Sequence, residues 1–252
     1  LKLGISAMAY DIKEKIDICK ELGFNHIEVG IDNLEDWDFL YEEKEELKKN
    51  DISIGVHMPM ELNTCESIKY IRKCWIDFFI ENYKKGKILD VKYYNLHLGY
   101  GLKNRVKNYR EKYLNNTLCF FQKVLENITN AEIYIENTYV SEGHLVNLGD
   151  NVNDFEYIFK NVKKDNFGFC YDSGHNLINS DDYVNKLSSY IKLIHLSNND
   201  GKSDLHLGLS EIGLLSEEDI KYLLNLKSVK YIVLEMNEKF FQSSKNIIFK
   251  NL

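Results

Sequence analysis

Proline is almost absent from these 252 residues, with a single instance, and cysteine is sparse, with five that never fall in a C-x-x-C pair. Cys19, Cys65, Cys74, Cys119 and Cys170 are odd in number and widely spread. That excludes a disulfide framework and fits reduced thiols acting as small buried side chains, with Cys170 set apart by lying two residues before Asp172. Positive charge is in deficit, and the net charge of -7 offers no general footprint for nucleic acid. No apolar run approaches the roughly 18 residues that cross a bilayer, and no leader is read at the N-terminus, so a soluble cytoplasmic protein without a membrane partner is expected. A G-x-G-x-x-G turn, a Walker loop and a G-x-S-x-G elbow are also missing, which removes support for dinucleotide, P-loop and serine-hydrolase chemistry.

What is present is a regular alternation of short apolar runs with longer amphipathic ones, the pattern of βα units around a parallel sheet. Strands are expected at Leu3–Ser6, His26–Gly30, Ser53–His57, Tyr93–His97, Glu132–Glu136, Gly168–Asp172, Leu193–Leu196 and Tyr231–Glu235. Helical spacing marks Ile12–Leu22, Phe39–Lys49, Ser67–Tyr83, Arg110–Asn127, Val152–Val162, Asp181–Tyr190 and Glu217–Leu224. The first helix stops at Gly23, a C′ glycine, and the segment after Glu235 leaves room for a truncated eighth helix. The expectation is one α/β domain over residues 1–252, a (β/α)8 TIM barrel with its active site at the carboxyl ends of the strands.

Those strand ends carry metal-ligand side chains repeatedly: Glu136 in IYIENT, Asp172 and His175 in YDSGH, His195 in LIHLSNND and Glu235 in YIVLEM. An acid closing a strand is often no more than a helix cap, and a histidine in a buried strand often only a satisfied core residue. Two glutamates completing buried strands are harder to dismiss, because each costs several kcal/mol if left without a cation or a hydrogen-bond network. Asp204 and His206 follow His195 one residue apart, and in an extended segment they share a face suited to one ion. His57 and His97 close the third and fourth strands, and Glu28 in HIEVG points to an acid or substrate contact. His26 and His144 lack such a setting and are read as a pre-strand and a solvent-loop residue.

The phrases KLGIS, KELGFNHIEVG, YDSGH, HLSNNDG, DLHLG and VLEM resemble, over nearly the whole chain, the xylose isomerase-like TIM-barrel superfamily. That superfamily joins sugar and sugar-phosphate isomerases and epimerases with endonuclease IV-type AP endonucleases (AP endonuclease family 2). HLGLSEIGL departs from its usual H-x-x-L-G-E-G at Ser210 and Ile212. The epimerase-like branch implies one divalent ion, Mn, Mg or Zn, held by Glu136, Asp172, His195 and Glu235. The nuclease-like branch implies two to three Zn ions, adding His57, His97, His175, Asp204 and His206. The function expected first is a metal-dependent sugar or sugar-phosphate isomerase/epimerase working through a metal-stabilised enediolate. Glu136 and Glu235 would be its catalytic acid–base pair, and His175 and Glu28 its substrate contacts. The alternative is a multinuclear zinc phosphodiesterase acting at abasic DNA sites, with nucleic acid as partner in that case alone. A non-catalytic metal-binding barrel stands third, and a homo-oligomer is left open.

Overall fold

Strands form in all eight expected places: β1 (Lys2–Met8), β2 (His26–Gly30), β3 (Ser53–His57), β4 (Tyr93–His97), β5 (Glu132–Glu136), β6 (Phe167–Asp172), β7 (Ile191–Leu196) and β8 (Tyr231–Leu234). The computed structural model describes residues 1–140 and 143–251. Each strand pairs in parallel with its neighbours, and β8 returns to β1 with Tyr231 opposite Lys2, closing a (β/α)8 TIM barrel.

Because successive side chains face opposite sides of a strand, the closed sheet divides the core in two. Outward residues such as Ile27, Val29, Ile54, Val56, Leu96, Ile133 and Ile135 belong to the main core that includes buried residues of the surrounding helices. Inward residues Tyr93, Tyr134, Cys170, Leu193 and Val233 form a separate cluster against Tyr231. This aromatic plug fills the barrel interior. Gly55 makes room for it, since a Cβ there would lie 2.2 Å from a Tyr93 ring carbon.

Gly23 ends the first helix in the left-handed region at φ 72, as its position implied, and β2 begins three residues later. Other boundaries moved. The expected helix at Phe39–Lys49 is two, Trp37–Glu42 and Lys44–Lys49, broken at Glu43. The helix of the fourth unit begins at Lys103, not Arg110, and is kinked at Tyr109, so the expected start fell just past the kink. Asp181–Tyr190 contracts to Tyr183–Leu187, and an unexpected short helix, Ser173–Ile178, follows β6 directly. The helix after β8, Phe241–Asn251, is 11 residues long, equal to the first. A two-stranded antiparallel ribbon of Tyr100–Leu102 with Leu145–Asn147 joins two of the loops beyond the strands, where three-residue strands leave too little pattern to read. Cys19, Cys65 and Cys170 are buried as expected, whereas Cys74 and Cys119 are exposed because their helix positions face away from the core. Among the described residues no helix is long and apolar enough to cross a membrane.

Replacing Gly55 by alanine should cost about 1–3 kcal/mol through overpacking against Tyr93. Urea denaturation with an unchanged midpoint would show instead that the plug can yield.

Candidate metal centre

The inward register that builds the plug also lifts the strand-end residues into the barrel mouth. His57, His97, Glu136 and Asp172 are the last residues of β3 to β6, His195 is the penultimate residue of β7, and Glu235 follows β8. Asp172 answers both readings of a strand-end acid. Its Oδ1 caps the Ser173–Ile178 helix by accepting the His175 backbone N–H at 2.7 Å, and its Oδ2 is buried without a partner. The cap also turns His175 into the mouth. The loop after β7 supplies Asp204 and His206, the latter in the left-handed region at φ 46, an unusual conformation for a residue with a Cβ.

The nine candidate ligands meet in three groups. In the central one, His195 Nδ1 lies 2.9 Å from Glu235 Oε2, 3.4 Å from Glu136 Oε2 and 3.7 Å from Asp172 Oδ2. Ligand atoms of these four residues lie within 4.8 Å of one another. In the second, His57 Nε2 is 3.4 Å from Glu136 Oε2 and His97 Nε2 is 3.2 Å from Glu136 Oε1, so Glu136 belongs to both groups. In the third, Asp204 Oδ2 is 3.3 Å from both His175 Nε2 and His206 Nε2.

Two observations say that these atoms suit cations. Asp172 Oδ2, His195 Nδ1, Asp204 Oδ1 and Glu235 Oε2 are buried with no hydrogen-bond partner, although His195 Nδ1 and Glu235 Oε2 are close enough for one. Near contact without hydrogen-bond geometry is what two ligands of one ion make. The second observation is ring orientation. His57, His175 and His206 place Nδ1 at 2.7, 2.8 and 3.0 Å from the carbonyl oxygens of Met58, Asn137 and Glu235, which leaves each Nε2 aimed at a carboxylate. Anchoring one ring nitrogen on an acceptor is how proteins fix a histidine to present the other to a metal. A donor set of imidazoles and carboxylates suits Zn or Mn better than Mg or Ca. Such ions would be held by Glu136, Asp172, His195 and Glu235 centrally, with His57, His97 and Glu136 on one side and His175, Asp204 and His206 on the other.

Electrostatics point the same way. Burial opposes a charge on His57 and His175, yet the neighbouring carboxylates win, raising His57 to about 9 through Glu136 and His175 to about 10 through Asp172, Asp204 and Glu136. A hydrogen bond to Asp204 raises His206 to about 9. Burial, reinforced by Glu235 and Glu136, lifts Asp172 to about 7 against the pull of His175. Glu235 is partly buried, which opposes its charge, but His195 draws it down to about 2. Protons on the histidines thus take the place of positive charge that the carboxylates require. His97 is the exception, lowered by burial and already poised as a neutral ligand.

Glu28 lines the mouth, and both its oxygens have neighbours, Tyr93 OH at 2.6 Å and His195 Nε2 at 2.8 Å. His26, as expected, stands outside the centre: it is buried at the start of β2 against Ser53 and Tyr93, and burial lowers it to about 3. His144 is exposed. Three contributors are not evident from their sequence context. Asn95 donates to Glu136, Asn137 receives the Asp172 N–H and donates to its carbonyl, and the Tyr139 ring lies 5.2 Å from that of His175. Asn95 was within reach of the sequence, because it shares the inward face of β4 with His97, two residues on.

Metal binding at this centre must expel the histidine protons, so affinity should rise with pH towards 9 to 10 and zinc addition at pH 8 should release protons. Chelator competition at several pH values, with titration of a weakly buffered solution, tests this. Affinity flat between pH 6 and 9 would overturn it.

Comparison with known proteins agrees with this architecture. Residues 16–247 match the family model described as xylose isomerase-like TIM barrel. A curated relative named probable endonuclease 4, from Ureaplasma parvum, is 26% identical over 206 residues, covering 71% of this chain and 65% of its own length. The chain thus spans less than two thirds of that relative. Among solved structures, a D-tagatose 3-epimerase-like protein superposes with a TM-score of 0.86 at 22% identity, covering 100% of this chain and 97% of its own. Endonuclease IV from Thermus thermophilus superposes with a TM-score of 0.67 at 12% identity, covering 100% and 98%. At those identities the structural likeness speaks for the fold alone. With a closed eight-stranded parallel barrel and a family match over nearly its whole length, this chain belongs to the xylose isomerase-like TIM-barrel family.

Proposed function

We propose that this protein is a multinuclear metal-dependent phosphoesterase, the reading held second on sequence alone. One observation carries it: Glu136 is shared. Its Oε1 faces His97 and its Oε2 faces His57, His195 and Asn95, so neither oxygen is left over a substrate carbon to take or give a proton. A carboxylate engaged on both sides suits a bridge between ions better than a general base, which needs reach to the proton it abstracts. Five ligand-type residues beyond the central four also find partners here, and a single-ion centre has no use for most of them.

Bound divalent ions would supply the Lewis-acid charge and water activation that phosphoester hydrolysis requires. The chain's own part is to hold and orient. Glu136 joins two ligand groups, Asp172 orders His175 through its cap, and Asp204 draws His175 and His206 to one point at the side of the mouth. Tyr139 packs on His175 and shields it. The name of the curated relative, probable endonuclease 4, is consistent with this chemistry.

A second reading, sugar isomerase or epimerase, is favoured by the lip of the mouth. The cavity of about 520 Å³ is rimmed by Asp11, Asp32 and Glu61, and the Lys15 beside them is paired with Glu238 at 2.6 Å. Carboxylates accept hydroxyl hydrogen bonds from an uncharged sugar and repel a phosphate. The name D-tagatose 3-epimerase-like, carried by one structural neighbour, fits that alternative.

Purification without chelators followed by elemental analysis should find two to three Zn-type ions per chain, and the loaded protein should cleave abasic duplex DNA or a bis-aryl phosphodiester. Asp204→Ala and His206→Ala should each remove about one ion and lower the rate roughly 100-fold. A single Mn- or Mg-type ion, with epimerisation of a ketohexose and no phosphoester cleavage, would establish the second reading instead.

A further inference from the structure

Of the four histidines whose rings are anchored for a metal, three are held by backbone carbonyls and one is not. His195 is turned the other way round, with Nδ1 facing Glu235, Glu136 and Asp172 and Nε2 on the side chain of Glu28 at 2.8 Å. We propose that Glu28 is the positioning residue of the central ion site, and that a buried relay of Tyr93, His26 and Ser53 holds Glu28 in turn. The proposal rests on the metal centre described above but not on which reaction that centre performs.

Hydrogen-bond capacity fixes the direction of the links that converge on Glu28. A carboxylate only accepts, so Tyr93 OH, 2.6 Å from Glu28 Oε2, must donate to it. The phenol has one hydrogen, so its oxygen can only accept from His26 Nε2, 2.8 Å away. Burial keeps His26 neutral, so with hydrogen on Nε2 its Nδ1 is an acceptor facing the Ser53 hydroxyl at 2.9 Å, and that hydroxyl also lies 3.2 Å from the Asn25 carbonyl. Glu28 Oε1 remains for one donor, the Nε2–H of His195. Asn95 Nδ2, 3.5 Å from that nitrogen, is itself a donor and is committed to Glu136, and the Cys170 thiol close to the ring is a weak partner beside a carboxylate. The chain of bonds therefore keeps hydrogen on Nε2 of His195 and leaves Nδ1, on the carboxylate side, as the nitrogen that an ion would meet.

Packing makes the arrangement stiff. Glu28 is 3% exposed, Tyr93 and His26 are 0% exposed, and the Tyr93 ring is stacked about by Tyr134, Tyr231 and His26 at 4.9, 4.8 and 5.4 Å. Gly55, where a Cβ would strike Tyr93, keeps the phenol in line with Glu28. A carboxylate carried on an immobile strand and locked by a phenol orients a ligand imidazole and raises its basicity, and removal of such a partner weakens metal binding by 10- to 100-fold in general.

The test compares zinc affinity, by competition with a chromophoric chelator, in wild type, Glu28→Gln and Tyr93→Phe, together with the thermal midpoint of each metal-free protein and the nitrogen-bound proton resonances of His195 in the zinc-loaded form. Glu28→Gln should bind the central ion at least tenfold more weakly and lose the strongly hydrogen-bonded Nε2–H resonance, and Tyr93→Phe should fall between it and wild type. If Glu28→Gln unfolds, Tyr93→Phe decides by the same two measurements. Wild-type affinity and an unshifted resonance, with only the thermal midpoint lowered, would make Glu28 merely structural and overturn the proposal while leaving the metal centre intact. Failure of wild type to bind zinc at all would overturn the centre itself, and the proposal with it.

Discussion

Glu136 is the charge around which the rest of the molecule is arranged. It is 1% exposed at the end of β5, where an unpaired carboxylate would destabilise the fold by several kcal/mol. Every nearby element answers that cost. β3, β4, β7 and the short helix after β6 each turn a histidine or an amide toward it, and the loop after β5 returns Asn137 to fasten Asp172. The answer brings more acids with it, since Asp172 and Glu28 are buried and Glu235 is partly buried within the same few ångströms. Histidine protons can balance part of this, but the unpartnered oxygens of Asp172, Glu235 and Asp204 remain. Cations are the economical solution.

The barrel makes such a concentration of charge tolerable by keeping it apart from the apolar core. Helix packing uses the outward faces of the strands, and the interior below the mouth is closed by Tyr93, Tyr134, Tyr231, Leu193 and Val233. The plug does more than fill space. Through Tyr93 it reaches Glu28, and through Glu28 it reaches His195, so a packed layer that excludes water also sets the angle of a ligand ring. Strand and plug are rigid elements, whereas Asp204 and His206 come from a loop, which separates a firm central group from a more adaptable lateral one.

Much of this was legible because a parallel barrel repeats one simple rule. Period two along IYIE, FCYD and IVLE places the final acid on the inward face whatever the helices do, so Glu136, Asp172 and Glu235 could be assigned to one mouth from their position in the strand. Helix ends were less legible where local conformation outweighed periodicity: the break at Glu43 and the kink at Tyr109 are single-residue departures in backbone angle, and the short helix after β6 is begun by the Asp172 side chain. The final helix reaches 11 residues by packing on Phe24 and the neighbouring helix, tertiary contacts that the short segment after Glu235 does not announce.

The sequence by itself determined the βα order, the strand-end ligands and the kinship they express, because hydrophobic period and residue type are one-dimensional properties. Only the tertiary structure decided how those ligands are shared. Whether Glu136 has a free oxygen, which nitrogen of His195 faces the carboxylates, and which side chains lie against Glu28 are questions of orientation across strands far apart in the chain. They are settled by ring closure and side-chain packing, which bring Glu28 to His195 and Asn95 to Glu136, and no local spacing in the chain encodes those contacts.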